Sequence, residues 1–223
     1  MIELPSLSTI ERPSLKEAAV QQIRVAISRG ELKPGDRITE LGLAKSLGVG
    51  QATIREALID LDHQGFIQRR GVRKTYVTAL TRRDVLEIYQ VRQQLEELAL
   101  DLLAEARVRE LRACQQACQR MMAAATANDL LQFCDADLHF HLGLWQATGN
   151  RLLAEILEKV ANRLFAYDVS QPGSFSPAKL KRIAREHGDL WRLLSAGEYK
   201  AARKLMQKSM QEALEEDSRI PQG

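Results

Sequence analysis

The chain has few cysteines, no long apolar run and no basic-then-apolar leader. Its three cysteines, Cys114, Cys118 and Cys134, are odd in number and lack the paired spacing of a zinc ribbon, so we expect free thiols. Cys114 and Cys118 lie four residues apart on a predicted helix and are expected to be small buried side chains. No apolar run approaches the roughly 18 residues of a membrane span. The N-terminal residues do not resemble a signal peptide, so we expect a cytoplasmic protein.

The net positive charge of the chain comes from its first third. The 223 residues carry a formal net charge of +3. Residues 1–78 hold 12 Lys and Arg against 9 Asp and Glu, and the rest of the chain holds 20 of each. This asymmetry predicts a polyanionic partner for the first third alone.

Two short helices separated by glycines are predicted in that third. A longer helix comes first, from Ser14 to Gly30, and Ser14 with Glu17 forms a capping-box pattern. Its predicted inward face contains Leu15, Ala18, Ala19, Gln22, Ile23, Ala26 and Ile27. After a Pro-Gly turn, the short helices span about 39–47 and 51–63. The pair predicts a helix-turn-helix, whose second helix enters the major groove of DNA.

The second short helix has one apolar and one polar face. Ile54, Leu58 and Leu61 recur at helical spacing and should pack inward. Gln51 and Arg55 are one turn apart and should point away from that stripe. We expect Gln51, Thr53 and Arg55 to face DNA.

A basic β-hairpin is predicted directly after this helix. The stretch "FIQRRGVRKTYVT" alternates on both sides of Gly71, and no acidic residue occurs between His63 and Asp84. The predicted cationic tip consists of Arg69, Arg70, Arg73 and Lys74. Such a hairpin is a wing that contacts phosphate or the minor groove. The alternative is a protein-binding winged helix with a solvated basic loop.

In the remaining two thirds of the chain, the sequence pattern predicts helices and no strands. The first spans 81–106, with an inward stripe of Val85, Ile88, Val91, Leu95, Leu98 and Leu102. Further helices are predicted at 107–127, 129–148, 150–168, 177–196 and 198–216, with Asn128, Gly149–Asn150 and Gly197 among their boundaries. The fold class is therefore mostly α: a winged helix-turn-helix (10–78) followed by an all-helical antiparallel bundle (79–218).

One segment of the bundle, "DADLHFHLGLWQATGN", concentrates carboxylate and imidazole groups. Asp137 and His141 are one turn apart and share a helix face. His139 lies about 200° away from Asp137 around the helix and cannot join them. His139, His63, Trp145 and Trp191 are assigned ordinary surface or core roles.

The N-terminal motifs resemble the DNA-binding domain of the GntR family of bacterial transcription regulators. The resemblance rests on "I..G.L.PG.R", "LA..LGV" and "REAL..L" in the right order over about 50 residues. Arg55 matches the family's second recognition arginine. Gly50 and Gln51 stand where the family often has Ser or Thr followed by Arg, and glutamine suits adenine rather than guanine.

The helical part resembles the ligand-sensing FCD domain of the FadR subgroup. The matching pieces are "LTRRDVLEIYQVRQQLE", "D...H......TGN..L" and "EH..L...L..G....A". The resemblance implies a metal held by Asp137, His141 and His187, with Zn²⁺, Ni²⁺ or Mn²⁺ as candidates. The family's fourth ligand, a histidine, falls on Ser209. A metal-free pocket that hydrogen-bonds the effector, or three unrelated side chains, are the alternatives.

The resemblance implies a regulator that binds palindromic double-stranded operator DNA as a homodimer, and we expect a repressor. The effector would be a small organic acid, with Arg92 and Ser209 as effector-binding residues. Arg92 either clamps the effector carboxylate or pairs with Glu96 one turn away. No catalytic motif is present, so we expect no enzyme. A regulator that senses a larger or less acidic effector, a structural adaptor and a non-haem iron enzyme are the alternatives.

Overall fold

The computed structural model describes residues 14–70, 74–171, 173 and 175–217. Within these ranges a small unit of three helices and three strands precedes six longer helices. The elements are α1 (Leu15–Ser28), β1 (Arg37–Ile38), α2 (Glu40–Leu47), α3 (Gln51–His63), β2 (Ile67–Arg69), β3 (Thr75–Val77), α4 (Arg82–Glu105), α5 (Arg112–Ala127), α6 (Leu130–Ala147), α7 (Arg151–Val169), α8 (Pro177–Ala196) and α9 (Tyr199–Asp217). The predicted fold class is confirmed. None of the described helices is both long and apolar enough for a membrane span.

The first helix begins as its capping box predicts. Ser14 Oγ accepts a hydrogen bond from the Glu17 amide, and the Glu17 carboxylate accepts one from the Ser14 amide at 2.7 Å. The predicted inward positions of Leu15, Ala18 and Gln22 are wrong, because all three side chains are exposed. Val20 is buried instead, and α1 packs against α3.

The wing contains one strand more than the sequence predicts. The sheet order is β1-β3-β2, all antiparallel, with Tyr76 opposite both Arg37 and Gln68. β1 is two residues long and therefore too short to show an alternating pattern. The hairpin tip, residues 71–73, lies outside the described residues.

The inward face of α4 differs from the predicted stripe. Val85 and Ile88 are buried as predicted, but Val91 and Leu98 are 47% and 43% exposed. The buried face from the middle of the helix onward contains Tyr89, Arg92, Glu96, Ala99, Leu100 and Leu103. The prediction failed because two charged side chains occupy inward positions, where an apolar periodicity cannot detect them.

The helix boundaries of the bundle are mostly as predicted. Asn128 ends α5 with a left-handed φ of 55°, Asn150 caps α7, and Gly197 ends α8 with a φ of 79°. The predicted start of α5 at 107 is wrong. Arg107 has a φ of 52°, which interrupts helical geometry, and α5 begins at Arg112.

The small unit is attached to the bundle at the C-terminal end of α3. Asn162 of α7 is buried, and its Nδ2 donates to the carbonyl oxygen of His63 at 2.9 Å. Gly65 lies against the same part of α7: a Cβ there would be 2.6 Å from the Asn162 carbonyl carbon. The left-handed φ of Gly65, 76°, also favours glycine. A second attachment joins α1 to α6 through an ion pair between Arg24 and Asp135.

Candidate functional site

The helix pair presents the polar face of α3 to solvent. Gly48 ends α2 with a φ of 66°, and α3 begins at Gln51. Beneath α3, Ile54, Leu58 and Leu61 are buried as predicted. Gln51 and Arg55 are exposed on the opposite face, and Thr53 is half-buried. The orientation predicted for these side chains is therefore confirmed.

Arg55 is held by an acidic side chain that the sequence pattern did not single out. Its Nε and Nη2 donate to Oε1 and Oε2 of Glu40 at 3.3 and 2.9 Å. The hydrogen bond from Arg55 lowers the pKa of Glu40, although burial acts in the opposite direction. Glu40 is the first residue of α2, fifteen positions before Arg55.

The described part of the wing carries three exposed cations: Arg69, Arg70 and Lys74. The guanidinium of Arg70 lies 5.5 Å from the centre of the Tyr76 ring. Arg69 Nε lies 3.8 Å from Asp62 Oδ2. The fourth predicted wing cation, Arg73, lies outside the described residues. The described cations project from β2 and the start of β3, adjacent to α3.

A cavity of about 140 Å³ lies inside the bundle and is lined by residues of α4, α6, α7, α8 and α9. All five predicted metal and effector residues line it: Arg92, Asp137, His141, His187 and Ser209. Apolar walls come from residues such as Phe133, Phe165 and Leu190. A largely apolar cavity with a few converging polar groups is typical of a small-ligand site.

Asp137, His141 and His187 converge at one end of this cavity. One ligand atom from each lies within 4.8 Å of the others. Asp137 Oδ1 is 2.9 Å from His187 Nε2 and 3.8 Å from His141 Nε2. The helical spacing brings Asp137 and His141 together, and the packing of α8 near α6 brings in His187. Each side chain is less than a fifth exposed.

The hydrogen bonding of the two histidines suits a cation between them. His187 Nδ1 donates to the Ile183 carbonyl oxygen at 2.9 Å, so a neutral His187 has its lone pair on Nε2. That atom lies 3.3 Å from His141 Nε2. If His141 is protonated on Nδ1, two nitrogen lone pairs face each other. If it is protonated on Nε2, its Nδ1 lone pair faces a carboxylate oxygen of Glu96 at 3.7 Å.

The donor set therefore fits a divalent metal. Asp137 Oδ1 and His141 Nδ1 are buried and form no hydrogen bond of acceptable geometry with the described residues. One carboxylate and two imidazoles are common ligands of Zn²⁺ and related ions. A backbone carbonyl holding His187 and a carboxylate beside His141 are the partners that orient metal-binding histidines. Burial alone would lower the pKa of His187, but the Asp137 carboxylate raises it above its ordinary value.

The carboxylate of Glu96 lies 3.7 Å from Nδ1 of His141, a contact that the sequence pattern did not reveal. It is 1% exposed and accepts hydrogen bonds from Arg92 Nη2 at 2.9 Å and Trp145 Nε1 at 3.3 Å. Burial alone would raise its pKa, but His141 and Arg92 together lower it to about 2. The i,i+4 spacing with Arg92 was a signal, but it did not distinguish a buried pair from a surface pair.

Arg92 pairs with Glu96, as one of the two alternatives predicts, and it also lines the cavity. Ser209 also lines the cavity, on α9, and its Oγ donates to Glu186 at 3.4 Å. Two further cations, Lys179 and Arg182, line the cavity. Lys179 pairs with Glu216 at 2.7 Å, and Arg182 pairs with Glu186, Glu212 and Glu216.

Of the other polar candidates, two histidines lie on the surface and Cys134 lines the cavity. His139 is exposed, and its Nδ1 donates to the Asp135 carbonyl oxygen at 2.6 Å. His63 is also exposed. Cys114 and Cys134 are buried, Cys118 is half-buried, and burial raises the pKa of all three thiols.

Comparison with known proteins identifies two families. Residues 15–77 match the family described as bacterial regulatory proteins, gntR family, and residues 87–212 match the FCD domain. The chain is 32% identical over 169 residues to an uncharacterized HTH-type transcriptional regulator of Bacillus subtilis, YdhC, covering 74% of each chain. It is 28% identical over 191 residues to the regulator LutR of the same species, covering 77% of this chain and 86% of LutR.

Solved structures share the fold. Escherichia coli McbR/YncC superposes with a TM-score of 0.70 at 24% identity, over 91% of this chain and 96% of that chain. A GntR regulator from Rhodococcus sp. RHA1 gives a TM-score of 0.67 at 20% identity over the same shares. Both families and the curated relatives are transcription regulators, so the enzyme alternative is not retained. The chain belongs to the GntR family of DNA-binding transcription regulators and carries a C-terminal FCD domain.

Proposed function

We propose that this regulator is a homodimeric repressor whose operator affinity is controlled by a small carboxylate metabolite bound beside a divalent metal in the bundle. Residues 10–78 form the DNA-binding domain in this proposal, and residues 79–218 form the sensing and dimerising domain. The observation that carries the proposal is the convergence of Asp137, His141 and His187 in a cavity lined by α7. The same helix contacts the end of α3.

In this proposal, α3 contacts the bases of the DNA, and the wing contacts its phosphates or minor groove. Gln51, Thr53 and Arg55 meet base edges in the major groove, because α3 is the second helix of the helix-turn-helix and exposes Gln51 and Arg55. The wing residues Arg69, Arg70, Arg73 and Lys74 contact phosphate or the minor groove.

These two DNA roles are separable by experiment. Arg55→Ala should weaken specific binding by roughly 1–3 kcal/mol and blur one operator position. Arg70→Ala should weaken binding to all sequences and make the salt dependence of affinity shallower. Equilibrium binding to a selected operator and to unrelated DNA, across a salt series, measures both. Parent-like binding by both variants would contradict this docking.

The metal would be held by Asp137, His141 and His187, with Ser209 in place of a fourth protein ligand. A bound divalent ion would supply positive charge and open coordination positions for an effector carboxylate. An anionic effector needs a positive charge in the cavity that is not already neutralised by the protein. The cavity's three cations, Arg92, Lys179 and Arg182, each already pair with a carboxylate.

A metal-free pocket remains the second candidate, and one contact favours it. Asp137 Oδ1 lies 2.9 Å from His187 Nε2, so a protonated His187 would form an ion pair with that carboxylate without a metal. In that case Asp137, His141 and His187 would bind the effector directly. The effector would then be larger or less acidic than a small carboxylate.

The homodimer is supported by an apolar face on α4 and α7. Four large apolar side chains are exposed there: Val91, Leu98, Leu152 and Ile156. An ion pair at 4.0 Å joins Asp84 of α4 to Arg163 of α7. Val91 and Leu98 follow Asp84 on α4 by nearly whole helical turns. Leu152 and Ile156 precede Arg163 on α7 by nearly whole turns as well. All four side chains therefore lie on the side of the two helices that carries the ion pair. Exposed apolar patches of this kind are typical of protein interfaces.

A charged substitution tests this interface. Leu98→Glu should shift the protein from dimer to monomer in sedimentation and abolish binding to a palindromic operator. Leu15→Glu is the matched control, because Leu15 is 65% exposed on α1, in the small unit. A Leu98→Glu protein that remains dimeric would move the interface to another surface.

Control of DNA binding can pass through α7. Phe165 lines the cavity, and its ring centre lies 5.9 Å from that of His141. One turn earlier, Asn162 holds the His63 carbonyl oxygen at the end of α3. A change in the position of α7 on ligand binding would therefore reach the recognition helix directly. An effector that binds the two arrangements differently would shift operator affinity by about 5- to 150-fold.

The function is tested by operator binding with and without added metal and a panel of small carboxylates. We expect at least one carboxylate to change the operator Kd of the metal-loaded parent protein and to leave Asp137→Ala unchanged. The direction of the change, together with a reporter fusion in cells, tests repression. Carboxylates that shift parent and variant equally, or neither, would contradict control through this cavity.

A further inference from the structure

The DNA-facing surface of the helix pair contains a carboxylate as well as cations. Glu40 opens α2, is about one-third exposed at its side chain, and points at Arg55 rather than at solvent alone. A carboxylate on a surface that approaches phosphates is unfavourable for DNA affinity. Its presence there calls for a role that outweighs this repulsion.

The contact leaves Arg55 able to read a base. A guanidinium has five N–H donors arranged in a planar fork. Glu40 accepts from Nε and from one hydrogen of Nη2. Both hydrogens of Nη1 and the second hydrogen of Nη2 remain, on the outer edge of the fork. Guanine O6 and N7 need two such donors side by side, so Arg55 can bind Glu40 and guanine simultaneously.

The backbone at Glu40 is fixed by the cap at the start of α2. The preceding residue, Thr39, caps α2, and its Oγ1 accepts a hydrogen bond from the Gly42 amide at 3.1 Å. The positive end of the helix dipole favours an ionised carboxylate in the first turn of α2. The guanidinium of Arg55 is therefore oriented by two hydrogen bonds before DNA arrives, which reduces the entropy lost on binding.

The described wing cations are arranged differently. Arg70 lies over the Tyr76 ring, and Arg69 Nε is 3.8 Å from Asp62. Neither has the two-point carboxylate contact that Arg55 has. Arg55 is therefore oriented in a way that suits base readout, whereas Arg69 and Arg70 are held less tightly, which suits phosphate contact.

We propose that Glu40 is a specificity-determining positioning residue, which fixes Arg55 for guanine readout and opposes its use as a general phosphate contact. The proposal rests on the proposed contact of Arg55 with a base. It predicts that loss of Glu40 lowers discrimination at the base pair read by Arg55 without lowering affinity for unrelated DNA.

The test uses the full chain and a binding site selected from a random DNA library. Kd values are measured for that site, for each single base-pair variant of it and for unrelated DNA. The proteins are the parent, Arg55→Ala, Glu40→Gln, Glu40→Ala and Glu56→Gln. Glu56 is the matched control, since it is an exposed acid next to Arg55 on α3 and its substitution removes the same charge. Thermal unfolding of each variant verifies the fold.

Arg55→Ala should reduce discrimination at one base pair of each half-site by roughly 5- to 150-fold, the range of a bidentate contact. Glu40→Ala should reduce discrimination at that same base pair by about tenfold, and Glu40→Gln by less, because one hydrogen bond can persist. Affinity of both Glu40 variants for unrelated DNA should be equal to or higher than that of the parent. Glu56→Gln should keep the parent discrimination at every position.

The outcomes distinguish the two ideas. If Arg55→Ala changes discrimination at no position, the base contact of Arg55 is wrong and the role of Glu40 falls with it. If Arg55→Ala blurs one position but both Glu40 variants behave like Glu56→Gln, the base contact stands and Glu40 is not a positioning residue. A loss of affinity on all DNA by Glu40→Ala, with discrimination unchanged, also overturns the proposal.

Discussion

The DNA-binding unit and the cavity of the bundle use charged side chains in opposite ways. In the first unit, Arg55 and the described wing cations are exposed and attached to short local elements. In the bundle, Arg92, Glu96 and the Asp137 cluster are largely buried and come from three different helices. An exposed cation is solvated whether or not it has a partner, whereas a buried charge needs a partner within the protein.

This difference should appear in stability. An exposed ion pair such as Arg55 with Glu40 contributes little to the free energy of unfolding. A buried pair broken on one side costs about 3–5 kcal/mol, since the remaining charge is left without compensation. Substitutions in the two regions should therefore separate into binding defects and folding defects.

The largest effect is expected from Arg92→Ala. It leaves the Glu96 carboxylate 1% exposed and without its guanidinium partner, so we expect a loss of about 3–5 kcal/mol in the free energy of unfolding, measured in urea. Arg83→Ala is the control on the same helix. Arg83 pairs with Glu87 at the same i,i+4 spacing, but its side chain is 87% exposed, and no measurable change in unfolding free energy is expected. Equal losses of unfolding free energy in Arg92→Ala and Arg83→Ala would contradict the distinction between buried and exposed ion pairs.

A smaller effect is expected where the two regions meet. Gly65→Ala combines a left-handed backbone with a clash against the Asn162 backbone, which cannot rotate away. We expect a loss of about 3 kcal/mol in unfolding free energy, compared with about 1 kcal/mol for Gly48→Ala. Gly48 has a similar φ, 66°, but open space around it. Similar losses in Gly65→Ala and Gly48→Ala would mean that the close packing of Gly65 against α7 does not contribute to stability.

Asn162→Ala should change stability least and regulation most. It removes one hydrogen bond to the His63 carbonyl oxygen, a loss of about 1 kcal/mol. We expect the effector-dependent change in operator Kd to shrink, because α7 no longer holds the recognition helix. Arg24→Ala, which breaks the ion pair between α1 and α6, should preserve that response. An unchanged response in Asn162→Ala would exclude this route of control.

The sequence was most informative where structure and function are local. The capping box at Ser14, the inward residues of α3 and the exposed Arg55 all follow from spacings within one helix. The pair Asp137 and His141 was also within one turn. His187 joined them only through the resemblance to a family, because no spacing along the chain connects α6 with α8.

The sequence was least informative where charge is buried or pairs across elements. Arg92 and Glu96 lie on the inward face of α4, so an apolar pattern assigned Val91 and Leu98 to the core in error. Glu40 reaches Arg55 across the helix-turn-helix, and Gly65 meets Asn162 across about a hundred residues. These contacts depend on the packing of elements that are distant in sequence, which periodicity does not encode.

The metal content per chain tests the central claim about the bundle most directly. The measurement is made after purification without chelators, for the parent, Asp137→Ala, His187→Ala and His139→Ala. We predict about one equivalent in the parent and in His139→Ala, whose imidazole is exposed and bonded to its own helix, and a large loss in the other two. Absence of metal from the parent, or equal content in all four proteins, would contradict a metal held by Asp137, His141 and His187.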